Sequence, residues 1–315
     1  MSVRNETEIQ IMRILFKTNN GKFTKNTSSK RAYPFGVEAE YYRKLRAFFK
    51  PLIDYVNKYI DGNMDALLRG DSNELEVRND AIPGKSFRKM IYDLEDYMDA
   101  YMPDIGEVPE DQLNNVILLS LRETAEKAKK FGDKEFEKEI KKGIFVSVPI
   151  SSPWWNDMLK SWAENNYALI TSNASRFVDK INNLTEQAIV NGFSHKRLKE
   201  ELKKATTGLS DAHCKLIARD QLGKLNGQIA QAQKQEIGLN LYTWSTARDD
   251  RVRENHEMME GLLCRYDDAD VCSYDEGKTW VDRPATAVHL HPGQDYQCRC
   301  VGLMYYPELL SVLRK

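Results

Sequence analysis

Apolar residues return every third or fourth position along most of this chain, with charged residues between them. That spacing confines most of the chain to amphipathic helices. Tyr41, Leu45, Phe48, Leu52, Val56 and Ile60 define one face of a helix over about 37–61. Pro51 should kink or divide it, and Asp61-Gly62-Asn63 should end it. A second helix begins at Ser86, shows Phe87, Met90, Leu94, Met98 and Tyr101 on one side, and stops at Pro103. A third covers about 110–141. Met158, Trp162 and Leu169, then Phe177, Ile181, Leu184 and Ala188, continue the pattern as far as Asn191-Gly192. A short helix follows from Ser194 through Leu198 and Leu202. Ser210 then caps a long one faced by Ala218, Leu222, Leu225, Ile229 and Ala232. Near the start, Ile9–Phe16 reads as a further short helix.

The pattern fails in two places. Residues 142–155 change to β-branched and aromatic composition and read as a linker. After Gly238 the character changes for good. Leu241–Thr246 has strand composition, and Asp250 is placed to cap a short helix carrying Val252, His256 and Met259. Residues 262–303 read as loop-rich with a last strand at 297–303. The expected class is α+β, mainly α, with long helical N-terminal and middle regions and a small, zinc-stabilised C-terminal α+β module. Three consecutive regions follow: 1–150, 151–240 and 241–315.

Charge separates the first of these further. Residues 1–60 carry twelve Lys and Arg against five Asp and Glu, whereas 61–111 carry five against fourteen. Lys22, Lys25, Lys30 and Arg31, interleaved with Phe16, Phe23 and Tyr33, suit contact with the phosphates of double-stranded DNA, or else form a solvated face. No run of residues is long and apolar enough to span a membrane, and residues 1–6 lack the apolar core of a signal peptide. Folding in the cytosol with reduced thiols is the expectation. The helical stripes at 41–60, 87–101 and 177–188 exceed what one core needs, which predicts apolar faces left for a partner.

Four of five cysteines and three of five histidines lie in the last sixty residues. Cys298 and Cys300 are two apart, so in an extended segment both sulfurs point the same way and can reach one ion. His256, on the apolar side of its helix, is the third candidate ligand. The fourth could be Cys264, Cys272, His289 or His291, and His291 is taken. The competing reading is a pair of half-buried thiols beside a hydrogen-bonded core histidine. Asp249, Arg251 and Arg253 mark the start of the short helix, where an ion-paired brace is the first expectation. His256, His289 and His291 also allow a metal-dependent hydrolase or nuclease, although no known catalytic motif accompanies them.

Taken in order, Leu216-Ile217-Ala218-Arg219-Asp220-Gln221, Trp244, Asp249-Asp250-Arg251-Val252-Arg253, His256, Gly261, Pro292-Gly293 and Cys298-Arg299-Cys300 resemble the phage Mu F-like minor head protein family. The resemblance covers roughly 155–303 and departs from the family pattern between Gly261 and Pro292. It implies a non-enzymatic minor capsid protein of a tailed phage, present in the virion. The partners it implies are portal, capsid or scaffold proteins, at the portal vertex during head assembly and DNA packaging or ejection.

Overall fold

The computed structural model describes residues 3–24, 31–68, 82–102, 116–147, 151–191, 193, 195–209 and 211–315. The helices are α1 (Val3–Thr18), α2 (Phe35–Leu68), α3 (Ile82–Tyr101), α4 (Val116–Ile144), α5 (Trp155–Val190), α6 (His195–Thr206) and α7 (Asp211–Glu236). After them come β1 (Leu241–Ser245), α8 (Glu254–Glu257), β2 (Leu263–Arg265), β3 (Asp268–Ser273), β4 (Val281–Asp282), β5 (Val301–Met304) and α9 (Tyr306–Arg314). The class is α+β, mainly α, as the periodicity requires.

Two compact units form, and neither is one stretch of chain. The first takes Met1–Glu38, Thr124–Lys160 and Arg219–Lys315; the second takes Ala39–Glu123 and Ser161–Ala218. This division differs from the three consecutive regions read from the sequence. The long helices α2, α4, α5 and α7 each contribute residues to both units, and a linear reading has no means of seeing that.

In the second unit α2 buries Tyr41, Leu45, Phe49, Leu52 and Val56 completely. Phe49 therefore replaces Phe48, which is only half-buried. Pro51 stays inside an unbroken helix, on its exposed side. A proline here costs about 3 kcal/mol. Each large apolar side chain on the buried face returns about 1.5–3 kcal/mol, so the helix continues. The Tyr41 hydroxyl is 2.7 Å from Asn166 Oδ1, and its ring lies 5.6 Å from that of Trp162. Leu94 of α3 and Phe177, Ile181 and Ala188 of α5 are buried too. Among the described residues, these members of the stripes expected to face a partner are buried within the protein, whereas Met98 and Leu184 are half-buried. Phe87, Met90, Tyr101 and Ile60 have side chains outside the described set.

The first unit brings distant parts of the chain together. Met12 and Phe16 of α1 pack with Phe136, Ile140 and Ile144 of α4, Ile237, Leu239, and Tyr306, Leu309 and Leu313 of α9. Arg13 Nε donates to Val312 O at 3.0 Å. The five-stranded antiparallel sheet runs β4-β3-β2-β1-β5, with Tyr242 opposite both Cys264 and Met304. The segment read as loop-rich contains β2, β3 and β4. Asp267, Asp268 and Asp270 break the alternation that would have revealed a hairpin there. The last strand starts at Val301, four residues later than expected, because Cys298–Cys300 is irregular.

Beneath this core lies a charge cluster. Arg31 Nη1 donates to Glu139 Oε2 at 3.0 Å, and Arg31 Nη2 to Gln233 Oε1 at 3.1 Å. Lys234 Nζ reaches the same Glu139 oxygen at 3.4 Å. Arg31 is buried with both ends of its guanidinium engaged, so it does not contribute to a DNA-facing basic arm. Lys22 is exposed, and Lys25 and Lys30 lie outside the described residues.

Two cations share one carboxylate here, so the cluster carries excess positive charge. Burial, the largest influence, with help from Arg31, outweighs the pull of Glu139 and lowers Lys234 to about 8. Unfolded Lys234 would titrate near 10.5, so the unfolded chain holds the extra proton between these values. Stability should therefore rise with pH across that window, by about 3 kcal/mol from this group. Lys234→Met should remove this rise and leave the Arg31–Glu139 pair neutral. The check is the difference in unfolding free energy between wild type and Lys234→Met from pH 7 to 10.5. Parallel profiles would mean that Lys234 is not a buried charge.

Candidate metal centre

The site is built on the face of α7. Gly223 and Gly227 lie one turn apart. A Cβ on Gly223 would sit 2.6 Å from Cys298 O, and one on Gly227 would sit 2.5 Å from Pro292 O. Only glycine lets the backbone of the 292–298 loop approach this closely. Asp220 Oδ1 then accepts from Gln297 N at 2.8 Å, which fixes the loop against the helix.

The loop delivers Cys298 and Cys300. His256 arrives from the other side on α8, which starts after Arg253 and makes one turn. Asp250 does not cap it. Gly261, at φ +80°, turns the chain back, and its N–H meets Trp244 O at 2.9 Å. His256 Nδ1 lies 3.3 Å from Cys300 Sγ and 3.5 Å from Cys298 Sγ. All three residues are buried, and their donor atoms lie within 4.8 Å of one another. Trp244 closes the site, its ring centroid 6.0 Å from that of His256.

Each of these residues is held by a further contact. His256 Nε2 lies 2.8 Å from Asp295 Oδ2, which also forms an ion pair with Arg253 at 2.9 Å, while Arg253 Nη2 donates to Tyr296 O. Arg299, between the two cysteines, donates to both Asp249 oxygens at 2.7 Å. Arg251 also reaches Asp249. The backbone N–H groups of Gly293 and Cys300 point at Cys298 Sγ, at 3.4 and 3.3 Å. Asp249, Arg251 and Arg253 therefore form an ion-paired brace, and the brace clamps the two ligand-bearing segments rather than a helix end.

The electrostatics follow from this packing. The hydrogen bond from Cys300 holds the Cys298 thiol below the usual thiol range, against the cost of burial. The same bond, with burial, pushes Cys300 far up. Burial opposes charging His256, but the Cys298 sulfur and Asp295 together raise it. A thiolate facing an imidazole is a soft donor set suited to a metal ion.

The other histidines are elsewhere. His291 Nδ1 is 3.1 Å from the Tyr242 hydroxyl, and that hydroxyl also accepts from Arg283. His289 is bonded to Asp270 and Pro284. Among the described residues neither joins the His256 group. A three-histidine hydrolytic centre therefore finds no support. Cys264 and Cys272 are buried in the sheet core. The sequence reading missed Asp295 and the Gly223/Gly227 pair.

These features define a small α+β module that docks on the glycine face of a long helix and gathers a thiol and imidazole cluster. The family model described as "Phage Mu protein F like protein" matches residues 179–303, the segment that contains all of them. The resemblance to phage head morphogenesis proteins thus holds over that segment. An uncharacterized protein of Haemophilus influenzae is 33% identical over 162 residues, which are 51% of this chain and 32% of that protein. The chain spans about a third of the length of that relative. No solved structure matches.

Gly223→Ala and Gly227→Ala should each lower stability by about 1–3 kcal/mol, because the added methyl meets backbone rather than a movable side chain. Gly36→Ala serves as control, since nothing lies within 4 Å of a Cβ there. Urea unfolding of the three variants gives the comparison. Equal stability for all three would mean that the 292–298 loop does not rest on α7.

Proposed function

We propose that this protein is a minor head protein of a tailed phage, acting in head morphogenesis within the virion or prohead. The observation that carries the reading is the family match over 179–303. The quoted family elements also meet in one place: Arg219-Asp220 on α7, Asp249 to His256 around α8, and Pro292-Gly293 with Cys298-Arg299-Cys300 on the loop. Arg219 reaches Gln297 at 3.5 Å and Asp220 takes the Gln297 N–H, so the helix motif and the loop motif are physically joined.

The finer reading places the protein at the portal vertex, with portal, capsid or scaffold proteins as partners and a part in DNA packaging or ejection. Host cytoplasm is where such a protein assembles. No helix among the described residues is long and apolar enough to cross a membrane. Of the four basic residues proposed to meet DNA, Lys22 is exposed among the described residues.

The test is co-purification of the tagged full chain with proheads assembled with and without portal protein. The expected result is a few copies per prohead when portal is present and loss of binding when it is absent. Binding in both cases would keep the head role and overturn the portal assignment. Absence from proheads in both would overturn the head role.

A further inference from the structure

The geometry points to a zinc site formed by His256 Nδ1, Cys298 Sγ and Cys300 Sγ, with its fourth position open to exchangeable solvent. The first argument is distance. A tetrahedral zinc ion with Zn–S of about 2.3 Å and Zn–N of about 2.0–2.1 Å holds its sulfur and nitrogen donors about 3.5 Å apart. Here those separations are 3.3 and 3.5 Å. Both nitrogen-to-sulfur distances are those an ion would set, and all three donor atoms lie within 4.8 Å of one another.

The second argument is what surrounds the donors. Metal-bound imidazoles usually give their other nitrogen to a carboxylate, which fixes the ring and raises its basicity. Asp295 does this at Nε2, and Arg253 fixes Asp295 in turn. Two backbone N–H groups point at Cys298 Sγ, the arrangement that favours thiolate over thiol. Asp249 clamps Arg299, the residue between the two cysteines, at both guanidinium ends. An ordinary core histidine beside two packing thiols needs none of these supports.

The third argument concerns the fourth ligand. Among the described residues no further His, Cys, Asp or Glu joins the group. Asp295 is committed to the far side of the ring. The donors instead line a surface recess together with Arg251, Val252, Arg253 and Gln297. None of these four side chains is a usual zinc ligand, and the two arginines favour an anion. Soft sulfur and imidazole donors in a tetrahedral set select zinc over calcium, magnesium or manganese.

The experiment uses the full chain purified without chelator. Metal analysis should give about one zinc per chain. The cobalt-substituted protein should show thiolate-to-metal absorption, and this spectrum should change when azide is added. Asp295→Asn should weaken zinc binding by about 10–100-fold, measured by chelator competition. Cys298→Ser should lose the thiolate absorption in part, and Cys298→Ser/Cys300→Ser entirely. If the serine variants do not fold, stoichiometry and the cobalt spectrum of the wild type still decide the matter. Substoichiometric zinc with no thiolate absorption would overturn the site. A full thiolate spectrum indifferent to azide would overturn the open fourth position, and wild-type affinity in Asp295→Asn would overturn the positioning role of Asp295.

Discussion

The contact between the backbone of residues 292–298 and the glycine face of α7 governs the C-terminal module. Two carbonyls, from Pro292 and Cys298, rest where side chains would otherwise project. This contact puts Cys298 in reach of His256 and puts Gln297 N on Asp220. A helix normally presents a corrugated surface that keeps a neighbouring backbone at a distance. Removing two side chains one turn apart opens a slot along the helix. The loop enters it, and the module is then fixed to the scaffold by main chain as well as by side chains.

The buried charges work on a different part of the same unit. Glu139 neutralises Arg31 and contacts Lys234, and through its backbone it also takes the Tyr306 hydroxyl at 2.8 Å. One residue of α4 therefore ties together the segment before α2, the end of α7 and the start of α9. Such clusters are costly to bury, and each removes alternative packings in which a charge would be left alone. The apolar cluster around Phe136 and Ile140 supplies the bulk of the cohesion, while Glu139 fixes which segments meet there.

Periodicity revealed the helices well, since Tyr41, Leu45, Leu52 and Val56 are buried in the way their spacing demands. Their burial partners were not legible. Pairing between α1 and α9, or between α4 and β5, depends on contacts that no local pattern encodes. The hairpin of β2 and β3 was hidden because its turn and first residues include aspartates on a stretch that is only partly covered. Tyr306-Pro307-Glu308 with Leu309 and Leu313 carried the signature of α9, a proline in the first turn followed by an apolar stripe, and it went unread. At the site, His256, Cys298 and Cys300 could be picked out by type and spacing. Asp295 could not, because a lone aspartate in a Gly-Gln-Asp-Tyr loop has no distinguishing neighbour. The two glycines of α7 were a usable signal. Each costs a helix about 1 kcal/mol relative to alanine, so a pair at this spacing marks a close approach.

The packing of α1 on α9 has a consequence during synthesis. Arg13 and its acceptor Val312 are 299 positions apart. At about 5–20 residues per second, roughly 15–60 s pass between the appearance of α1 and that of the helix it rests on. Through that interval Met12 and Phe16 lack part of the surface that covers them in the finished protein. The mixed charge around them, Arg13 and Lys17 among their neighbours, helps keep the waiting helix apart from other nascent chains. The first unit therefore cannot close around α1 until α9 has been made.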